Sequence, residues 1–269
     1  MTALTSLNLQ PQLRAFQFRA TEEPVPEPPA PEPPAPEPPT PPAPEPIDFG
    51  SIDCAKKASL LPTLNTSVLA TVVTGLIASS MTGAPASATI SMLFNETPGN
   101  LTYSFNPNSP EALVTGSGDL GGVAYSENWS INQETGALSV TAKLGETDMQ
   151  FNLSESEDGG MRISGNIGQL AVDQSLFAVE SDQEDRNRVV VDGTIGGSRF
   201  HQELTVTEEG GECGQDPKQM LNVSGYVGTS DLTQVTALSQ HETGMGADAG
   251  GNLAGVAFTM NASLVVSQP

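Results

Sequence analysis

From about residue 112 to residue 266 the chain repeats one hairpin-sized unit. The clearest pair sets GDLGGVAYSENWSI at 118–131 against GNLAGVAFTMNASL at 251–264, and four further copies centre on Ala142, Gly165, Gly193 and Gly225. Repetition at 23–32 residues marks one supersecondary unit used many times. Within a copy such as VDGTIGGSRFHQEL at 191–204, apolar and polar residues alternate on either side of a glycine-rich turn. That alternation is the period of a strand with one dry face and one wet face. Proline supports the same reading, because it cannot donate to a ladder: of 22 prolines, only Pro217 falls inside the repeats.

The expected fold is therefore mainly β. We read residues 82–269 as about twelve to fourteen antiparallel strands in an up-and-down hairpin-repeat barrel, with a two-sheet β-sandwich as the alternative. Since about eight strands already fill a barrel with side chains, a larger one needs a filler. Residues 47–81 are the candidate, as a helical segment packed inside or against the sheet. Val68, Val72 and Leu76 recur every four residues, with Leu69, Val73 and Ile77 beside them and small residues opposite.

The repeat frame also predicts a register. With four-residue connections such as Gly196–Arg199, Gly193 faces Gln202, Gly165 faces Gln174 and Gly225 faces Gln234, while Glu127 faces Gly118 and Trp129 faces Gly116. In each copy a small residue on the dry face opposes a long one, so large side chains cover the strand glycines. Gln174, Gln202, Gln234, Glu127 and Trp129 are thus the candidate ligand-binding residues. The competing reading is that the amides only bond to nearby backbone.

The remaining segments do not contribute to that sheet. Residues 1–20 read as a disordered N-terminal peptide, with Leu13, Phe16 and Phe18 as anchors for an unknown protein partner. Residues 21–46 hold fourteen prolines with regularly spaced Glu and should form a stiff polyproline spacer. Cys54 and Cys213 match no metal or redox spacing and are a disulfide candidate. The connections between copies are acidic, which makes Glu155, Glu157, Asp158, Asp182 and Asp185 weak metal candidates on one rim; no EF-hand spacing is present.

A formal charge of −22 repels phosphate backbones, so nucleic acid is excluded as an expected partner. Neither histidine, His201 nor His241, has a nucleophile or metal partner at a recognised spacing, and no cofactor motif occurs. No secretory signal or transmembrane helix is expected, and a membrane is an unlikely partner; cell-surface or extracellular placement is favoured. These features predict a non-catalytic acidic β domain on a stiff spacer, serving as a binding or surface-display module. The alternatives are a carrier of a small apolar ligand in the barrel interior and a hydrolase using rim carboxylates.

Overall fold

The computed structural model describes residues 66–156, 159–179, 188–209, 218–241 and 244–267. A helix, α1 (Thr66–Thr82), precedes fourteen strands. They are β1 (Ala86–Phe94), β2 (Thr97–Phe105), β3 (Val114–Leu120), β4 (Val123–Ile131), β5 (Leu138–Leu144), β6 (Thr147–Glu155) and β7 (Met161–Ile167). The series continues with β8 (Leu170–Val179), β9 (Arg188–Ile195), β10 (Ser198–Glu209), β11 (Lys218–Val227), β12 (Ser230–His241), β13 (Gly244–Leu253) and β14 (Val256–Val266). Each strand pairs antiparallel with its sequence neighbour, and β14 pairs with β1, so the sheet closes into an up-and-down barrel. The two-sheet alternative does not describe it.

Strand alternation decides which side is dry. In β1 the residues Ala86, Ala88, Ile90, Met92 and Phe94 are buried, and every residue between them is exposed. Equivalent apolar residues from the other strands join them in one core inside the barrel. Outward positions carry Ser, Thr, Asn and Asp, for example Ser87, Thr89 and Ser91 on β1 and Asn261 and Ser263 on β14.

The expected four-residue connections are corrected to two-residue turns. Ile195 pairs with Ser198, leaving only Gly196 and Gly197 between β9 and β10. Both have positive φ, 57° and 80°, as the hairpin turn that matches strand twist requires. The expected pairs move accordingly. Gly193 meets Phe200, Gly165 meets Val172, Gly225 meets Leu232, Gly118 meets Tyr125, and Gly116 meets Glu127. A slip of two residues keeps every side chain on its face, so the alternation could not reveal it.

The long residues do cover glycines, but those of the next hairpin. Gln174 pairs with Gly193, Gln202 with Gly225, Gln234 with Gly251, Phe151 with Gly165, and Glu127 with Ala142. Each hairpin climbs two residues relative to the last, and the climb closes on itself. Met260 of β14 pairs with Met92 of β1, whose other partner, Gly99, lies two residues before Leu101. Leu101 in turn pairs with Gly118. The first hairpin, β1–β2, is therefore a seventh copy of the repeat. Around the inside runs one belt of long residues: Leu101, Glu127, Phe151, Gln174, Gln202, Gln234 and Met260.

On the turn side of this belt the barrel is sealed. Tyr125, Met149, Val172, Phe200, Leu232 and Phe258 are all buried there. The turns themselves are stitched together, because the first residue of each donates its N–H to the neighbouring hairpin. Gly121 bonds to the Pro98 carbonyl at 2.9 Å, and the series runs round to Asn95 on the Ala257 carbonyl at 2.9 Å.

The opposite end carries the longer connections and α1. The helix buries Val68, Thr71, Val72, Gly75, Leu76 and Ser79, one stripe at helical spacing. It ends at Gly83, whose φ of 67° suits a helix C-terminus, and Ser79 donates to the Ala84 carbonyl at 2.8 Å. Gly75 lies against the Phe105 ring near the end of β2. The helix packs mainly on β1, β2, β13 and β14. It thus covers the β13–β2 side of this mouth rather than lining the creased glycines of β7, β9 and β11. Between α1 and the wall formed by Leu221, Leu238, Met245 and Leu264 remains a void of about 50 Å³. Of the helical segment expected at 47–81, the portion before residue 66 lies outside the described residues, as do residues 1–20 and the 21–46 spacer.

Candidate functional site

Glu127 is the one charged side chain in the inner belt. Its neighbours on β4, two residues before and after, are Tyr125 and Trp129, both buried. The Tyr125 hydroxyl donates to Glu127 Oε2 at 2.8 Å, and the Trp129 indole N–H donates to Oε1 at 2.5 Å. Hydrogen bonds to a charged acceptor are the strong ones, which is what allows a carboxylate to stand among apolar neighbours. The sequence places these three together because alternate residues of one strand share a face.

Tyr103 of β2 completes the cluster. It pairs with Gly116 of β3, the glycine next to Glu127, and its ring occupies the space a Gly116 side chain would need. Tyr103 is 0% exposed. Its hydroxyl lies beside Glu127 and Tyr125 yet forms no hydrogen bond with acceptable geometry. Burial pushes the Tyr103 and Tyr125 hydroxyls well above the usual phenol range, and the nearby Glu127 charge adds to the effect. Both phenols therefore stay protonated and neutral. Tyr103 is not evident as a site residue from sequence: its alternation with Leu101 and Phe105 is visible, but not that this hairpin repeats the later ones.

The three glutamines do face inward, at 5%, 5% and 2% exposure for Gln174, Gln202 and Gln234. They line the belt on the side away from Glu127. Gln234 donates to Thr236 Oγ1 at 3.3 Å, two residues along the same strand. The structure so brings Glu127 and Trp129 into one cluster with Tyr103 and Tyr125. The amides lie around the same belt without joining that cluster.

Above the belt the interior is not uniformly sealed. Under α1, on β13, β14, β1 and β2, inner residues such as Ala247, Leu264, Ala88 and Phe105 are buried. Across the mouth, Leu153, Met161, Ile163, Leu176 and Leu204 face inward but are only half-buried. These apolar residues border segments that carry the acidic connections. Of the rim candidates, Glu155 is exposed at the end of β6; Glu157, Asp158, Asp182 and Asp185 lie outside the described residues, as do Cys54 and Cys213. Among the described residues no three His, Cys, Asp or Glu side chains are placed to hold a metal ion.

The outer wall holds ion pairs instead. His201 Nδ1 lies 2.7 Å from Asp192 Oδ1, and its ring stacks on Tyr226 with centroids 5.5 Å apart. Ser175 stands on the far side of Asp192, beside the carboxylate and not the imidazole, so the three do not form a serine–histidine–carboxylate relay. A shallow concavity of about 550 Å³ lies on the β1–β14–β13 wall, where Asn261 already donates to Asp248 at 2.7 Å. Among the described residues no helix is long and apolar enough to cross a membrane. Comparison with known protein families, curated proteins and solved structures finds no match to this chain.

Proposed function

We propose that the protein is a non-catalytic binding module whose barrel mouth receives the apolar portion of a small ligand, the spacer at 21–46 holding the domain away from its attachment. One observation carries the reading. The inner faces of β6, β7, β8 and β10 present Leu153, Met161, Ile163, Leu176 and Leu204 half-exposed at the mouth, whereas the turn end of the barrel is closed. Exposed apolar surface in a concave setting is unfavourable in water and is where ligands gain by burial. The outer strands are polar, which argues against a lipid-facing barrel. Their polar coat and the acidic charge keep the domain soluble and turn binding toward the mouth.

The same mouth supports the carrier alternative in a limited form, with the ligand at the mouth rather than enclosed. The void beneath α1 is about 50 Å³, well below the roughly 300 Å³ at which ligand pockets begin. To test the reading, the full chain is titrated with a solvatochromic apolar dye, and Ile163→Glu and Leu176→Glu variants are compared with it. Both should lower dye affinity about tenfold or more by placing an unpaired charge among apolar groups, with the folded signal retained. Unchanged dye binding in both variants would leave the domain as a display module acting through its outer surface.

A further inference from the structure

The Glu127 carboxylate is enclosed by aromatic side chains on three sides and open on the fourth. Tyr125 and Trp129 flank it along β4, and the Tyr103 ring closes the β3 side over Gly116. On the β5 side stands only Ala142, which is small and partly exposed, with Phe151 beyond it. Glu127 itself is only half-buried, as is Ala142 across from it. The half-exposed residues Glu127, Ala142, Phe151 and Leu153 form a continuous strip from the belt up to the mouth.

Among the described residues nothing within the barrel neutralises this charge. Lys143, Arg162, Arg199 and His201 pair across the strands with outward residues, and Arg188 bonds Glu203 at 2.6 Å on the outer wall. Among the described residues no cationic side chain faces inward. The Tyr103 hydroxyl is fully buried beside Glu127 and Tyr125 and forms no well-aligned hydrogen bond with either.

From this geometry we infer that the open side of Glu127 binds the primary ammonium group of an alkylamine. Glu127 is the counter-ion, and each of its carboxylate oxygens can accept an N–H beyond the bond it already takes from Tyr125 or Trp129. The alkyl chain runs over Ala142 and Phe151 toward Leu153 and the mouth. The tail placement rests on the mouth reading above; the head-group site does not.

Trp129 is the single tryptophan of the chain, so its emission reports on this cluster directly. The full-length protein is titrated with methylamine, butylamine and hexylamine, with hexanol as the neutral control. Hexylamine should shift Trp129 emission and bind on the order of tenfold more tightly than hexanol. Affinity should rise about fourfold per methylene along the series. Glu127→Gln should abolish the preference for amine over alcohol. Ala142→Leu, which fills the open side without touching the carboxylate's donors, should weaken hexylamine about tenfold, and it serves if Glu127→Gln folds poorly.

Equal affinity for hexylamine and hexanol overturns the head-group site while leaving the mouth reading intact. Amine binding that does not grow with chain length supports the head-group site and overturns the mouth. Binding of neither overturns both. A lysine side chain offers the same head on a four-carbon stem, so Nα-acetyl-lysine amide separates the two sources. Affinity equal to that of butylamine assigns the site to peptide lysines, and weaker binding assigns it to free amines.

Discussion

Gly165 has no room for a side chain. A Cβ there would fall within the van der Waals shell of the Gln150 carbonyl oxygen on the neighbouring strand, and Gly193, Gly225 and Gly251 are crowded in the same way. Glycine is what allows the neighbouring backbones to approach so closely there. Gly165→Ala should therefore cost about 3 kcal/mol by forcing two backbones apart. Gly255→Ala, at φ 87° with open space around it, should cost only about 1 kcal/mol through strained φ. Urea midpoints measure both, and equal losses would show that crowding is not what glycine relieves. The buried phenols make a second prediction at this scale. Below pH of about 10, Tyr103 and Tyr125 are protonated in both folded and unfolded chains, so they leave stability unchanged. Above it the unfolded chain ionises while the folded chain holds its protons, and stability falls by up to about 1.4 kcal/mol per pH unit for each phenol. Alkaline unfolding followed by phenolate absorbance should begin above pH of about 10, and Tyr103→Phe should make the decline shallower.

Among the described residues the helix is the one element that breaks the sevenfold regularity of the hairpins. Its buried stripe pairs Val68, Val72 and Leu76 with the small residues Thr71, Gly75 and Ser79. Small residues let it approach the wall closely, and at Gly75 the Phe105 ring leaves no space for more. Each buried aliphatic side chain contributes about 1.5–3 kcal/mol. Leu76→Ala should thus cost about 2–4 kcal/mol and loosen α1 from the mouth. Thermal unfolding measures the first effect. A rise in the number of bound apolar dye molecules measures the second, since α1 covers the side of the mouth opposite Leu153 and Ile163. Loss of stability without added dye binding would place the helix elsewhere than over a binding surface.

At the scale of the whole barrel, closure depends on register, because every hairpin must climb by the same two residues for Met260 to reach Met92. That climb explains what the sequence shows and what it hides. Alternation in segments such as Ile90, Met92 and Phe94 reveals the strands and their dry side, and repetition reveals that one hairpin recurs. The same repetition makes Asn-x-Ser/Thr triplets, such as those at Asn100, Asn128, Asn152 and Asn261, a by-product of outward positions filled from Asn, Ser and Thr. Periodicity cannot distinguish a four-residue turn from a two-residue one, because both leave each side chain on its own face. So the grouping of Glu127, Tyr125 and Trp129 is legible from one strand, whereas the arrival of Tyr103 over Gly116 is not. Local sequence dictates that these segments are strands, that their apolar sides share a core, and that the stripe from Val68 to Ile77 is helical. The backbone bonds between neighbouring strands decide the rest, since only paired carbonyls and amides set the step that closes fourteen strands and gathers three aromatic rings around one carboxylate.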